Sequence, residues 1–98
     1  MNVTYRIDKD IMYIAIEGRI DASNASIAEE KIFSIKNENP GKYVVIDADK
    51  LEYISSAGLR VLLVAHKKMN GEMKLTNVCE LVMEVLELTG FADILTIE

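Results

Sequence analysis

Asp47-Ala-Asp-Lys-Leu-Glu-Tyr-Ile-Ser-Ser-Ala-Gly-Leu-Arg60 is the stretch that decides the fold of this chain. A short apolar strand is predicted before it, over 43–46, and a strongly apolar helix after it, over about 57–69. The residues between them predict an acidic loop that ends in two serines, Ser55 and Ser56. A hydroxyl at a helix start lies beside unpaired backbone N–H groups and the positive end of the helix dipole, so the place tolerates an added phosphate. The two serines are therefore candidates for a phosphorylation switch.

Composition limits the classes of protein to which the chain can belong. Its 98 residues suffice for one domain, and half of them are hydrophobic, which supplies a core. The net charge is −5, which argues against binding to nucleic acid or to an anionic membrane. No apolar stretch approaches the ~20 residues of a membrane span, and the N-terminus does not resemble a signal peptide. A single cysteine, Cys79, fits a reducing compartment. These features predict one cytoplasmic domain over 1–98 without membrane insertion.

The order of predicted elements indicates an α/β fold. Strands and helices alternate after an N-terminal hairpin, which calls for parallel pairing through right-handed crossovers and hence for a mixed, mostly parallel sheet with three helices. The spacing of Ser26 and Glu29 predicts a capping box at the first helix, although a start at an adjacent residue fits equally well. The elements are strands at 3–7 and 11–16, a helix between 21–24 and 39–41, a strand at 43–46, the helix at 57–69, a strand at 73–77, a helix at 80–88, and a final strand or edge segment within 91–97.

Two separated segments are expected to meet at one edge of this sheet. Asp21 follows the second strand and residues 47–56 follow the third. Sites in such sheets lie outside the carboxyl ends of the strands, where both segments fall. From the residues alone, Ser56 is read equally well as a helix cap and as a phosphate acceptor.

The inventory of reactive side chains argues against an enzyme. The only histidine, His66, lies ten residues after Ser56 on the same predicted helix, roughly 15 Å away at ~1.5 Å per residue. The glycines are dispersed and form neither a P-loop nor a dinucleotide motif. Asp47 and Asp49 could hold Mg²⁺, but two carboxylates in such a loop are more often solvated. We therefore expect no catalytic activity, no metal and no cofactor.

Four segments resemble one family. The run Tyr53-Ile-Ser-Ser-Ala-Gly-Leu-Arg-Val-Leu-Leu63 is similar to the signature of STAS domains, the bacterial anti-sigma factor antagonists. Residues 17–25, 44–47 and 85–95 resemble other parts of that family in the same order, so the likeness covers nearly the whole chain.

The resemblance implies partner switching in transcription regulation. In such systems the unphosphorylated antagonist binds an anti-sigma factor that is also a serine kinase, and the sigma factor is released. Phosphorylation ends the binding, and a metal-dependent phosphatase restores it. The family's phosphorylated serine falls on Ser56 when the Gly-Leu pairs are aligned. The implied partner-binding residues are Asp21, Asn24, Ser55, Ser56, Ala57, Gly58 and Arg60.

Two other functions remain open for a chain of this kind. One is a STAS module of a different assembly, such as a stress-sensing complex or a lipid-transport system. The other is a small-ligand-binding STAS domain, in which the loop after the third strand holds a nucleotide or a lipid.

Overall fold

The computed structural model describes all residues from Met1 to Glu98. Five strands and three helices follow one another, and the chain ends in a short 3-10 helix. In order they are β1 (Asn2–Asp8), β2 (Ile11–Ile20), α1 (Ala25–Glu38), β3 (Tyr43–Asp47), β4 (Leu51–Ile54), α2 (Ser56–Lys68), β5 (Met73–Thr76), α3 (Glu80–Leu88) and the 3-10 helix Phe91–Asp93.

The sheet is mixed, as the sequence predicts. β1 and β2 form an antiparallel hairpin, whereas β3 and β5 continue the sheet in parallel, in the order β1-β2-β3-β5. β4 pairs in parallel with the last residues of β2. The α/β class, the N-terminal hairpin and the three helices are thus confirmed.

The strand β4 corrects the prediction of a continuous acidic loop between β3 and α2. Leu51 and Ile54 are 1% and 2% exposed, whereas Glu52 between them points to solvent. The two buried residues are three apart, so β4 lacks the two-residue alternation by which a strand is recognised in a sequence. Pairing is possible because β2 has ten residues, of which 11–15 pair with β3 and 18–20 remain for β4. Gly18, at φ +92°, lies at a register shift within the pairing of β2 with β4, and its N–H donates to the carbonyl of Lys50 at 2.8 Å.

The core lies between one face of the sheet and the helices. Along β2 the fully buried side chains of Met12, Ile14 and Ile16 alternate with partly exposed ones. They join apolar side chains of α1, α2 and α3 in one cluster. Val45 is buried on the opposite face, outside this cluster, with Tyr13 and Lys74 as its neighbours in the sheet. Burial from both faces in β3 agrees with its continuous run of apolar residues.

The ends of the elements differ in several places from the sequence prediction, most of all in β2, which continues to Ile20 instead of ending at Ile16. Ser26 is the second residue of α1 and Asn24 its N-cap, so no capping box forms with Glu29. α2 begins at Ser56 and ends at Lys68, each one residue before its predicted bound. The terminal segment begins with a 3-10 helix, and only a single parallel bridge, Leu75 to Ile97, joins it to the sheet as an edge.

Candidate functional site

The first site residue, Ser55, connects β4 to α2. Its backbone is extended (φ −91°, ψ 176°), and its N–H donates to the carbonyl of Ile20 at 2.9 Å. Its side-chain oxygen accepts a hydrogen bond from the N–H of Gly58 at 3.3 Å, which is the arrangement of an N-cap. The interpretation of Ser56 as the helix cap is therefore wrong, because Ser55 fills that position.

Ser56, the next residue, is the first residue of α2 and is exposed. Its hydroxyl makes no hydrogen bond to another part of the chain. The backbone N–H groups of Ser56 and Ala57 also lack acceptors, as expected in the first turn of a helix. Ser56 therefore has a free hydroxyl next to two free backbone N–H groups, whereas the neighbouring Ser55 uses its hydroxyl to cap α2.

A turn after β2 holds the second predicted segment. The Asp21 carboxylate accepts hydrogen bonds from the Ser23 hydroxyl at 2.5 Å and from the Ser23 N–H at 2.9 Å. These bonds, with a smaller contribution from the charge of Arg19, hold the pKa of Asp21 below its usual value. Asn24 accepts from the Asp21 N–H at 3.0 Å and donates to the Arg19 carbonyl at 2.9 Å. Asp21 and Asn24 therefore shape the turn that leads from β2 into α1.

Gly58 brings the two segments together. It is buried, and a Cβ added there would lie 2.6 Å from Cγ1 of Ile54 and 2.9 Å from Cγ2 of Ile20. The absent side chain therefore lets the first turn of α2 pack against the ends of β4 and β2. The predicted convergence of the two segments on one edge is confirmed. Partner contact by Gly58 stays a prediction, while its burial gives it a packing role.

A shallow groove of about 350 Å³ runs between the first turns of α1 and α2. Arg60 is exposed, and the structure forms no ion pair between it and Glu29 across the groove. Of the residues that line this groove, only Ala57 and Arg60 are among the predicted partner-binding residues. The small side chains of Ala22 and Ala25, next to Asp21 and Asn24 in the chain, are the signal that could have extended the prediction. The lining residues are Ala22, Ala25, Ser26, Glu29, Ala57, Arg60 and Val61.

Of the two acidic residues at the end of β3, Asp47 is held by hydrogen bonds, whereas the side chain of Asp49 is exposed. Asp47 accepts hydrogen bonds from the N–H of Asp49 and from the side-chain amide of Asn77, both at 3.1 Å. No three His, Cys, Asp or Glu side chains lie close enough together to hold a metal ion. None of the three helices combines the length and the apolar character that crossing a membrane requires.

The free face of the sheet carries a second groove, of about 410 Å³. Arg6 stacks on the ring of Tyr13 at 4.0 Å, and Lys74 is paired with Glu98 at 2.8 Å. Asp47 also lines this groove and would oppose a bound anion. The cations of this face are thus already engaged, and the face lies on the other side of the sheet from the core and its helices.

Comparisons with known proteins agree on one family. The model of the STAS domain matches residues 2–98. BtrV of Bordetella bronchiseptica, described as a candidate anti-sigma factor antagonist, is 37% identical over 89 residues, which cover 87% of this chain and 76% of that protein. The anti-sigma-B factor antagonist of Bacillus subtilis is 28% identical over 99% of this chain and 90% of its own length.

A solved structure shows the same fold. The crystal structure of an anti-sigma factor antagonist from Mycobacterium paratuberculosis superposes with a TM-score of 0.86. The two proteins are 20% identical, and the match covers 98% of this chain and 83% of that one.

Proposed function

Because this chain belongs to the STAS domain family, we propose that it is an anti-sigma factor antagonist. Its unphosphorylated form binds an anti-sigma factor that is also a serine kinase, and this binding releases the sigma factor. The names of its relatives from Bordetella bronchiseptica and Bacillus subtilis support the antagonist role. Such a regulator acts in the cytoplasm, where the free thiol of Cys79 is stable.

The observation that carries the proposal is the division of roles between the two serines. Ser55 caps α2, whereas Ser56 is exposed and has a free hydroxyl. A kinase can modify Ser56 without breaking a hydrogen bond that the fold needs. Ser56 is therefore the proposed phosphate acceptor.

The proposed docking face surrounds that hydroxyl. It comprises the turn after β2 and the first turn of α2, with the groove between the helices beside them. Its walls carry small side chains, which allow a partner's backbone or side chains to approach closely. The proposed partner-binding residues are Asp21, Asn24, Ser55, Ser56, Ala57, Gly58 and Arg60.

Phosphorylation switches the docking face off through charge and bulk. A phosphate adds about −1.5 to −2 charges and three acceptor oxygens. It arrives on a face that already carries Asp21 and Glu29, in a chain of net charge −5. A partner surface that fits a neutral hydroxyl has no cation of its own to match this charge and would have to bury it at a cost in binding free energy. A loss of about 3 kcal/mol weakens binding by more than a hundredfold, which suffices for a switch.

The chain supplies only the acceptor and the docking face. The kinase provides ATP, Mg²⁺ and the general base, and a metal-dependent serine phosphatase removes the phosphate. The chain itself is proposed to have no enzymatic activity, no cofactor and no nucleic-acid partner.

The test combines modification with binding. The chain is incubated with the anti-sigma factor kinase of the same cell and Mg-ATP, and its peptides are analysed by mass spectrometry. We expect one phosphate on Ser56 of the unsubstituted chain and none on the Ser56→Ala variant. The Ser55→Ala variant should still be phosphorylated on Ser56. Kinase binding, measured by calorimetry, should fall by at least a hundredfold after phosphorylation.

A negative result would favour another role. If a kinase that is active on a second substrate neither binds nor modifies this chain, the proposal fails. A STAS module of a different assembly, such as a stress-sensing complex or a lipid-transport system, is then the better interpretation. A small ligand retained through purification would instead favour the ligand-binding alternative.

A further inference from the structure

Arg60 lies four residues after Ser56 on α2, and we infer that its guanidinium binds the phosphate on Ser56 within the same chain. The inference rests on the proposed function for the presence of that phosphate. It assigns Arg60 a regulatory role that is distinct from contact with the partner.

Helix geometry brings the two side chains together. Residues four apart lie on the same face of a helix, with their Cβ atoms about 5–6 Å apart. Ser56 and Arg60 both belong to α2 and both are exposed. The arginine side chain is long enough to span this separation, and its planar fork of donors matches two phosphate oxygens.

Arg60 is also the one arginine that has no partner. Arg6 stacks on Tyr13 at 4.0 Å and Arg19 on Tyr53 at 4.3 Å. The two ion pairs of the structure involve lysines, and no hydrogen bond engages the Arg60 guanidinium. Arg60 can therefore bind a new anion without giving up an existing contact.

The competing charge at this place is Glu29, which faces Arg60 from α1 across the groove. The two do not form an ion pair in the structure. A phosphate carries up to twice the charge of a carboxylate, and on Ser56 it would be only one helical turn away. The Arg60 guanidinium should therefore pair with the phosphate on Ser56 and not with the Glu29 carboxylate.

This capture changes what phosphorylation does to the docking face. The unmodified chain presents a neutral hydroxyl and a free cation on the groove wall. The phosphorylated chain presents the phosphate on Ser56, and Arg60 is engaged in partly neutralising it. A partner would therefore lose the Arg60 contact in the same step in which it meets the phosphate.

The experiment installs the phosphate without a kinase. Phosphoserine is encoded at position 56 during translation, and the 31P resonance is followed as a function of pH. A nearby guanidinium stabilises the dianion, so Arg60→Gln should raise the midpoint of the titration. We expect a rise of about half a pH unit, because exposed ion pairs contribute up to about 1 kcal/mol and one pH unit corresponds to about 1.4 kcal/mol.

Arg6→Gln is the matched control, since it removes the same charge from the free face of the sheet. Its midpoint should equal that of the unsubstituted phosphoprotein. Arg60→Lys keeps the charge but loses the planar fork of donors. Its midpoint should lie between that of Arg60→Gln and that of the unsubstituted phosphoprotein. The Nε–H resonance of Arg60 should also shift on phosphorylation and move little in the unmodified chain over the same pH range.

Equal midpoints for Arg60→Gln and the unsubstituted phosphoprotein, with an unmoved Nε–H resonance, would overturn the inference. That outcome would leave the proposed function untouched, because kinase binding and phosphate transfer are measured separately. Conversely, a chain that no kinase modifies still reports on Arg60 through its encoded phosphoserine. Circular dichroism of each variant shows that it is folded.

Discussion

The side-chain oxygen of Ser55 accepts a hydrogen bond from the backbone N–H of Gly58 at 3.3 Å. This bond closes the first turn of α2, and the absence of a side chain at Gly58 lets the same turn pack on Ile20 and Ile54. The pair thus fixes where α2 begins. Ser56 lies between them in the chain; its side chain is exposed and makes no hydrogen bond within the fold.

Replacement of each serine by alanine should separate their roles. Ser55→Ala removes an N-cap and should lower the free energy of unfolding by about 1 kcal/mol. Ser56→Ala removes an exposed hydroxyl without a partner, and its effect should stay within about 0.5 kcal/mol. Urea denaturation of the two variants measures both values. Equal losses would contradict the assignment of Ser55 as the cap.

Gly58→Ala should destabilise the protein although alanine favours helices. The gain in helix propensity is about 1 kcal/mol. The added Cβ would lie 2.6 Å from Ile54 Cγ1 and 2.9 Å from Ile20 Cγ2, and such overpacking costs about 1–3 kcal/mol. The net effect should be a loss, accompanied by movement of the first turn of α2.

A double-mutant cycle with Ile54→Ala tests the cause of that loss. The second substitution removes the closer of the two clashing atoms, so Gly58→Ala should cost less in its presence. Urea denaturation of the single variants and the double variant yields the coupling. An additive result would mean that the clash with Ile54 is not the source of the loss.

The turn after β2 should depend on both hydrogen bonds of the Asn24 side chain. Asn24→Ala removes the acceptor for the Asp21 N–H and the donor to the Arg19 carbonyl, so we expect a loss of about 1–2 kcal/mol. Asn24→Asp keeps the acceptor and should lose less. Ser26→Ala, an exposed neighbour without a side-chain hydrogen bond, serves as the control. Thermal unfolding of the three variants decides whether the two bonds matter.

The Asp21 carboxylate should show its hydrogen bonds in a pH titration. Its folded pKa lies below the ordinary value of 3.8, chiefly because of the Ser23 hydroxyl. A lowered pKa stabilises the fold above about pH 4. This contribution is lost as the pH falls through the folded pKa.

Ser23→Ala should therefore raise the pKa of Asp21 toward its ordinary value, which carboxyl 13C NMR can follow. The difference in unfolding free energy between this variant and the unsubstituted protein should shrink as the pH falls below 3.8. A difference that is constant with pH would show that the Ser23 hydroxyl acts in some other way.

Much of the fold follows from patterns within single segments. The alternation of apolar residues in β1 and β2 predicts a hairpin because side chains in a strand point to opposite faces. The continuous run in β3 predicts a buried parallel strand. The strand β4 was not predicted because its buried residues, Leu51 and Ile54, are three apart and do not show the alternation of a strand. It is stable only through its pairing with 18–20 of β2, which is a long-range contact.

The site divides in the same way. The two serines before an apolar helix are visible in the sequence, but both satisfy the chemistry of a cap. Which of them caps depends on where the chain leaves β4, and the bond from the Ser55 N–H to the Ile20 carbonyl determines that point. The groove likewise depends on how α1 packs against α2, so Glu29 could not be assigned to it from its neighbours in the chain.

The sequence by itself determined the α/β class, the hairpin, the acidic surface and the position of the serine pair, because each depends on residues close together in the chain. The tertiary structure alone decided that β4 is a strand, that Ser55 is the cap and Ser56 the free hydroxyl, and that Arg60 has no partner. These features depend on contacts between segments far apart in the chain, and such contacts form only when the sheet and the helices pack together.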